Sequence, residues 1–151
     1  MADKKKIVVA DDEPFILSAL QDTLSDNYSV YTAMNGREAI KMVEKVLPDL
    51  IILDIMMPEM DGLEATKQLK KNKETASIPI ILLTAKGQIT DIEKGFKSGA
   101  DAYIVKPFSP TRLLEKVEEI FEKVEMRKKI TEEKLSLIHI SEPTRPLYIS
   151  Y

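Results

Sequence analysis

Five short, mostly apolar runs, separated by amphipathic stretches of helical length, are the sequence feature that most constrains the fold. The runs are residues 7–10, 29–33, 50–53, 80–83 and 102–105. Continuously apolar runs are typical of parallel strands covered on both faces, and run 29–33, the most polar one, suits an edge position. Strands that alternate with helices through short connections predict an open, doubly wound, five-stranded parallel α/β sheet with helices on both faces.

Residues with known capping preferences mark the ends of the intervening helices. Pro14 suits a first-turn position, Asn35 an N-cap, and Gly99 a left-handed C-cap after Lys97. The last helix is predicted to begin near residues 109–110 and to bury one apolar stripe as a core face. That stripe consists of Leu113, Val117, Ile120, Phe121 and Val124.

The overall composition narrows the class of protein. With 151 residues the chain has the size of one ordinary domain, and without cysteine it has no disulfide framework. Its apolar runs are too short to span a bilayer and no signal peptide is visible, so we expect a cytoplasmic location and no membrane partner. The net charge of -3 and pI near 5.3 argue against direct nucleic acid binding.

The C-terminal residues differ in character from the rest. Residues 135–146 read LSLIHISEPTRP, which resembles a translated sequencing adapter, and 135–151 carry only Glu142 and Arg145 as charged side chains. We therefore expect 135–151 to be a non-native tail and exclude it from fold reasoning, together with His139, the only histidine. The alternative is a genuine extension that packs on a partner. Residues 1–124 are then one domain, and 125–134 are the helix end or the start of a linker.

Polar side chains follow four of the five predicted strands. Asp11 and Asp12 come directly after the first strand, Asp54 ends the third, Thr84 ends the fourth and Lys106 ends the fifth. Because the carboxyl ends of parallel strands share one edge, these side chains are expected in a single cleft. Three carboxylates repel one another unless a cation lies among them, and ligands that are all oxygen favour a hard ion such as Mg2+.

Four motifs in this order and spacing identify a family. The chain contains VVADDEP, LIILDIMMPEMDG, IPIILLTA and YIVKPF, and over residues 5–124 it resembles the receiver (CheY-like) domain of two-component response regulators. The resemblance implies a flavodoxin-like fold with strand order 2-1-3-4-5. It also implies that Asp54 accepts a phosphoryl group from a sensor histidine kinase or histidine phosphotransfer protein. The protein would then be no turnover enzyme, because it catalyses only its own phosphorylation and dephosphorylation.

The resemblance also assigns a magnesium site. It implies that Asp12 and Asp54 bind Mg2+ directly, that Asp11 binds it through water, and that Met56 contributes its backbone carbonyl. The side chains of Met56 and Lys86 occupy family positions that influence the access of hydrolytic water.

The remaining site residues would contact or sense the phosphoryl group. By resemblance, Lys106 bridges Asp54 and the phosphoryl group as a point charge, Thr84 donates a hydrogen bond to it, and Ala85 is the small neighbour. Tyr103 matches the family's switch aromatic, with a plain half-buried strand tyrosine as the alternative. The Lys106–Pro107 bond stands where the family carries a cis peptide.

Phosphorylation would change the conformation and so control a downstream partner or a missing C-terminal output domain. By resemblance, the output surface runs roughly over residues 90–124, and a phosphorylation-dependent dimer is compatible with it.

Three alternatives remain open from the sequence. The chain could be the receiver part of a larger regulator cut after Lys134, which the uninterrupted reading frame would decide. A phosphorylation-independent module on the same scaffold usually lacks an acidic or lysine position, and none is lost here. A flavin-binding or phosphatase enzyme is disfavoured, because Asp11, Asp12 and Glu13 repel phosphate without a metal, and an aspartyl hydrolase would want a second acid where Met56 stands.

Overall fold

The structure, a computed structural model, describes residues 4–85 and 89–141 as five strands and five helices. The strands are β1 Lys6–Ala10, β2 Ser29–Ala33, β3 Leu50–Asp54, β4 Ile80–Ala85 and β5 Ala102–Lys106. The helices are α1 Pro14–Leu24, α2 Gly36–Val46, α3 Gly62–Lys71, α4 Ile89–Ser98 and α5 Pro110–Ser141. Each strand is followed by a helix, as the alternation of the sequence predicts.

All five strands pair in parallel, in the order β2-β1-β3-β4-β5. The predicted fold class and strand order are therefore confirmed, and β2 lies at an edge as expected from its polarity. β3 is buried along its whole length, since it lies between β1 and β4 and is covered on both faces. In such a sheet the chain reverses its direction of winding at β1 and β3, and the polar residues that follow these two strands lie side by side.

The apolar core on one face of the sheet is built by alternate strand residues and by α2 and α3. It includes Val8, Ala10, Ile51, Leu53, Ile80 and Leu82 from the strands with Ala39, Val43, Ala65 and Leu69 from the helices. The intervening strand residues point to the opposite face. There α1 contacts β1 and β2, and its Leu17, Leu20 and Leu24 are buried.

The capping residues act as the sequence predicts. Pro14 occupies the first turn of α1, and Asn35 is the N-cap of α2, where its side chain accepts a hydrogen bond from the backbone of Glu38. Gly99 follows the end of α4 with φ +111°, a conformation that glycine adopts without the steric cost that a Cβ atom imposes.

Helix α5 begins at Pro110, as expected, and extends beyond Val124, the last residue of the predicted core stripe. Leu113, Val117 and Ile120 are buried, and Val124 is half-buried. The helix continues through 125–134 to Ser141, because neither glycine nor proline interrupts residues 111–141.

The domain boundaries and the non-native origin of 135–151 remain predictions. The chain divides after Leu114 into two compact units. The side chain of His139 and all of residues 142–151 lie outside the described residues. None of the helices in the described part of the chain combines the length and the apolar character that a membrane span requires.

Two truncations on α1 test the assignment of the core. Leu20 is fully buried, whereas the Phe15 side chain is 81% exposed. We expect Leu20→Ala to lower the free energy of unfolding by about 2–5 kcal/mol, because it removes buried methyl groups and leaves a cavity. Phe15→Ala, the control, should change it by less than about 0.5 kcal/mol. Urea unfolding of both variants measures the difference, and equal losses would contradict the described packing of α1.

Candidate functional site

Three carboxylates converge at the carboxyl ends of β1 and β3. Asp54 is the last residue of β3 and Asp11 directly follows β1, whose Ala10 pairs with Leu53. One oxygen atom from each of Asp11, Asp12 and Asp54 lies within 4.8 Å of the others. Asp11 and Asp54 are buried and Asp12 is exposed, so the cluster opens to solvent on the side of Asp12.

The ammonium group of Lys106 reaches this cluster from the end of β5. Its Nζ lies 2.8 Å from Asp11 Oδ2 and 3.2 Å from Asp54 Oδ2. β5 is not adjacent to β3, so the long lysine side chain spans the end of β4, where Ala85 pairs with Lys106. One positive charge thus faces three carboxylates, and the cluster keeps an excess of negative charge.

The pKa values of Asp54 and Lys106 reflect both their burial and the charges around them. Burial, followed by repulsion from Asp11, raises the pKa of Asp54 to about 6, although Lys106 and a backbone hydrogen bond from Met56 oppose the shift. Burial disfavours the charged form of Lys106, but contact with Asp11 and Asp54 outweighs it and raises the lysine pKa. Asp54 therefore bears an electrostatic strain that a bound cation would relieve.

Backbone groups orient the two buried carboxylates. Asp11 Oδ1 accepts a hydrogen bond of 2.9 Å from the N–H of Glu13, and Asp54 Oδ1 accepts one of 3.3 Å from the N–H of Met56. The Met56 side chain is 62% exposed beside the site. Lys86, which by resemblance influences the access of hydrolytic water together with Met56, lies outside the described residues.

The other predicted site residues lie on β4 and β5. Thr84 is buried near the end of β4, one position beyond Leu83, which pairs with Asp54. Ala85 ends β4 beside Lys106, and the Lys106–Pro107 peptide bond is cis. Tyr103 is not brought into the cluster.

Two neighbours of the predicted residues were not identified from the sequence. Glu13 Oε1 lies 4.0 Å from Lys106 Nζ, and its place directly after Asp12 is the signal that could have indicated this contact. The ring of Tyr103 meets Phe96 of α4 edge to face, with centroids 5.9 Å apart. No sequence pattern predicts that pair, because it depends on how α4 lies against β5.

Comparison with known proteins identifies the family. A model of the response regulator receiver domain matches residues 7–118. This chain belongs to that family. The predicted family is thus confirmed, and the match is to a domain of signalling regulators rather than to a family of catalytic enzymes. The alternative of a flavin-binding or phosphatase enzyme loses its support.

Individual relatives of this receiver domain are found by sequence and by structure. The alkaline phosphatase synthesis transcriptional regulatory protein PhoP of Bacillus subtilis is 45% identical over 123 residues, which cover 81% of this chain and 50% of PhoP. The chemotaxis response regulator CheY4 of Vibrio cholerae superposes with a TM-score of 0.74 at 34% identity and covers 78% of this chain and 98% of its own. The chain spans about half the length of the transcriptional regulators it matches.

One structural neighbour was solved with an ion. It is the receiver domain of a sensor histidine kinase from Pseudomonas aeruginosa PAO1, with magnesium coordinated in its active site cleft. It superposes with a TM-score of 0.72 at 26% identity, covering 77% of this chain and 96% of its own.

The raised pKa of Asp54 predicts how the stability of this receiver domain depends on pH. The folded chain holds the proton of the Asp54 carboxyl group more tightly than the unfolded chain does, so ionisation of Asp54 destabilises the fold. This loss of stability is complete above about pH 6 and absent below pH 3.8, the ordinary pKa of the group. Without Mg2+ at pH 7, Asp54→Asn should therefore raise the free energy of unfolding by up to about 3 kcal/mol, the value that corresponds to the rise of the Asp54 pKa from 3.8 to about 6. The attraction of Lys106 is already contained in that pKa.

Urea unfolding across the pH range checks this expectation. The gap between variant and wild type should shrink as the pH falls from 6 towards 4. A variant that is less stable than the wild type at pH 7 would contradict the stated charge balance. Asp22→Asn, at an exposed position of α1, is the matched control and should change the free energy of unfolding at pH 7 by less than about 0.5 kcal/mol.

Proposed function

We propose that this receiver domain accepts a phosphoryl group on Asp54 in the presence of Mg2+ and changes conformation as a result. The observation that carries the proposal is the junction of three carboxylates with one ammonium at the carboxyl ends of the strands. A nucleophile, a cation-binding set and a fixed positive charge are the parts that phosphoryl transfer needs.

The donor atoms of the cluster fit Mg2+. All are oxygens, two of the carboxylates are buried, and burial together with repulsion from Asp11 raises the pKa of Asp54 more than Lys106 lowers it. Asp12, Asp54 and the Met56 carbonyl would hold the ion, with Asp11 joined through water, and the magnesium in the Pseudomonas neighbour supports this choice. When bound, Mg2+ would neutralise charge on the phosphoryl oxygens.

Asp54 supplies the nucleophile. A carboxylate oxygen of Asp54 attacks the phosphorus of a phosphohistidine, the P–N bond breaks, and the electron pair of that bond leaves with the imidazole nitrogen. The product is an acyl phosphate on Asp54, and water later cleaves it to inorganic phosphate and the free carboxylate. The chain is therefore both substrate and catalyst of its own phosphorylation and dephosphorylation.

Lys106 holds the reacting carboxylate and receives the new charge. Its Nζ contacts Asp54 and Asp11 before transfer, and afterwards it pairs with a phosphoryl oxygen in place of the carboxylate. A preorganised charge of this kind stabilises the transition state because it requires no reorganisation during the reaction.

Thr84 and Tyr103 transmit the change to the surface. Among the described residues, the Thr84 hydroxyl donates one weak hydrogen bond, of 3.5 Å, to the carbonyl of Ala85, so a phosphoryl oxygen competes well for it. Ala85 leaves room beside the group. Tyr103 is 38% exposed and packs against Phe96, and its movement inward after Thr84 shifts an equilibrium between two conformations.

The partners follow from the family. A sensor histidine kinase or a histidine phosphotransfer protein donates the phosphoryl group in the cytoplasm. The sequence relatives are named transcriptional regulators, of which this chain spans about half. We infer that the phosphorylated domain controls either an output domain that follows it in the intact protein or a separate downstream partner.

Labelling with a small phosphoryl donor tests the proposal. We expect acetyl phosphate with Mg2+ to place one acid-labile phosphoryl group on the chain, detected by intact-mass spectrometry. Asp54→Ala should abolish labelling because it removes the nucleophile, and Lys106→Ala should block signalling because the response to the phosphoryl charge is lost. Undiminished labelling of Asp54→Ala would place the acceptor elsewhere.

Asp22→Ala is the control for the labelling experiment. It removes a carboxylate of the same type from an exposed position of α1 and should be labelled as the wild type is. Chelation of Mg2+ with EDTA should stop labelling of both.

A second experiment addresses hydrolysis of the acyl phosphate. Met56→Asn places an amide beside the site, where it can hold the attacking water. One such hydrogen bond is worth about 0.5–1.5 kcal/mol, which corresponds to about two- to tenfold faster decay. A phosphate-release assay measures the rate, and Met56→Leu, which keeps an apolar side chain, is the control. An unchanged decay rate for Met56→Asn would refute the role of this position.

A further inference from the structure

We propose that residues 33–36 form a brace that fixes the spacing of the two loops holding Mg2+, with Asn35 and Glu59 as positioning residues. One loop follows β1 and carries Asp11 and Asp12. The other, residues 55–61, follows Asp54 and carries the Met56 carbonyl. The inference rests on the proposed function, because it concerns the affinity of that same site for the ion.

The backbone of the brace binds both loops. The carbonyl oxygen of Ala33 accepts a hydrogen bond of 3.2 Å from the N–H of Asp11. Three residues later, the N–H of Gly36 donates one of 3.0 Å to the carbonyl oxygen of Met60. Four consecutive residues at the edge of the sheet therefore connect the loops that lie on either side of the cation site.

Glycine is required where the brace meets the second loop. A Cβ atom at position 36 would overlap the Met60 carbonyl oxygen. The hydrogen bond from Gly36 thus depends on an approach of two backbones that any other residue would prevent.

The side chain of Asn35 adds a second link. Its Oδ1 accepts a hydrogen bond of 2.8 Å from the N–H of Glu38 and caps α2, while its Nδ2 donates one of 3.0 Å to Glu59 Oε2. An amide can do both because it carries an acceptor and a donor. The Glu38 side chain in turn accepts a hydrogen bond of 3.0 Å from the N–H of Met34. Two residues of the brace, Met34 and Asn35, are therefore bound to the first turn of α2.

Glu59 explains why the second loop needs a link at this point. Its φ is +63°, a left-handed conformation that residues with a Cβ atom seldom adopt. The next residue along, Met60, is the one that Gly36 binds. The brace therefore binds the second loop at the turn that directs the chain from Met56 to α3.

The spacing of the loops matters because of the ion. Mg2+ demands near-ideal octahedral geometry, with short distances to its oxygen ligands. Ligands from two loops satisfy it only when the loops keep a fixed separation. The hydrogen bond between Asn35 and Glu59 is exposed, so its effect should appear in metal affinity more than in stability.

Titration calorimetry with Mg2+ on the full chain tests the proposal. Asn35→Asp keeps an oxygen that caps α2, since aspartate and asparagine are equally good N-caps, but it loses the donor to Glu59. We expect its Mg2+ affinity to fall about tenfold, the equivalent of one hydrogen bond to a charged group at the low end of the usual range. The added negative charge would by itself act in the opposite direction.

A swap that preserves the net charge provides the rescue. Asn35→Asp combined with Glu59→Gln restores an amide–carboxylate hydrogen bond with its direction reversed, and Mg2+ affinity should return to within about twofold of the wild type. Glu59→Ala alone should weaken binding as Asn35→Asp does. Urea unfolding without Mg2+ should place all of these variants close to the wild type, which separates positioning from a general loss of structure.

The outcomes distinguish the two proposals. Wild-type affinity in Asn35→Asp, or a swap that binds as weakly as Asn35→Asp, overturns the brace and leaves the proposed function standing. A wild-type chain that binds no Mg2+ overturns both. Asp12→Asn, which removes a ligand, gives the heat signal expected when the site itself is lost.

Discussion

The contact of the Lys106 ammonium with Asp11 and Asp54 is the interaction on which the site depends. It allows two carboxylates to be buried within a few ångströms of each other, where they would otherwise repel strongly or take up protons. The compensation is incomplete, because Asp12 and Glu13 add further negative charge at the exposed side. Burial, followed by repulsion from Asp11, raises the pKa of Asp54, and the uncompensated negative charge of the cluster favours a bound cation.

The architecture explains how residues distant in sequence arrive at this one point. Parallel strands present all their carboxyl ends at one edge, and the central position of β3 places Asp54 beside the end of β1, so that the loops after β1 and β3 are neighbours. A buried sheet is rigid because its strands are packed on both faces, whereas the loops at its edge are not. The brace of residues 33–36 gives these loops a connection that the sheet alone does not provide.

Much of the fold could be predicted from the sequence, because the buried parallel strands β1, β3 and β4 carry continuously apolar runs. Run 102–105 is apolar as well, although it forms an edge strand that is only partly buried. Strand ends were less accurate. β1 begins at Lys6 and β4 ends at Ala85, each one residue beyond the predicted end, because ladder hydrogen bonds continue past the apolar run and hydrophobicity does not report them. The convergence of Asp11, Asp54 and Lys106 was predictable from topology. The link between Asn35 and Glu59 was not, because a left-handed glutamate has no signature in the sequence.

The charge balance of the cluster can be measured directly by a carbon-detected NMR titration of the Asp54 carboxyl group, with and without Mg2+. We expect a pKa of about 6 for Asp54 in the absence of the ion and a marked fall when Mg2+ is added, since the cation favours the ionised form. A pKa at the ordinary value for aspartate that Mg2+ does not move would contradict it.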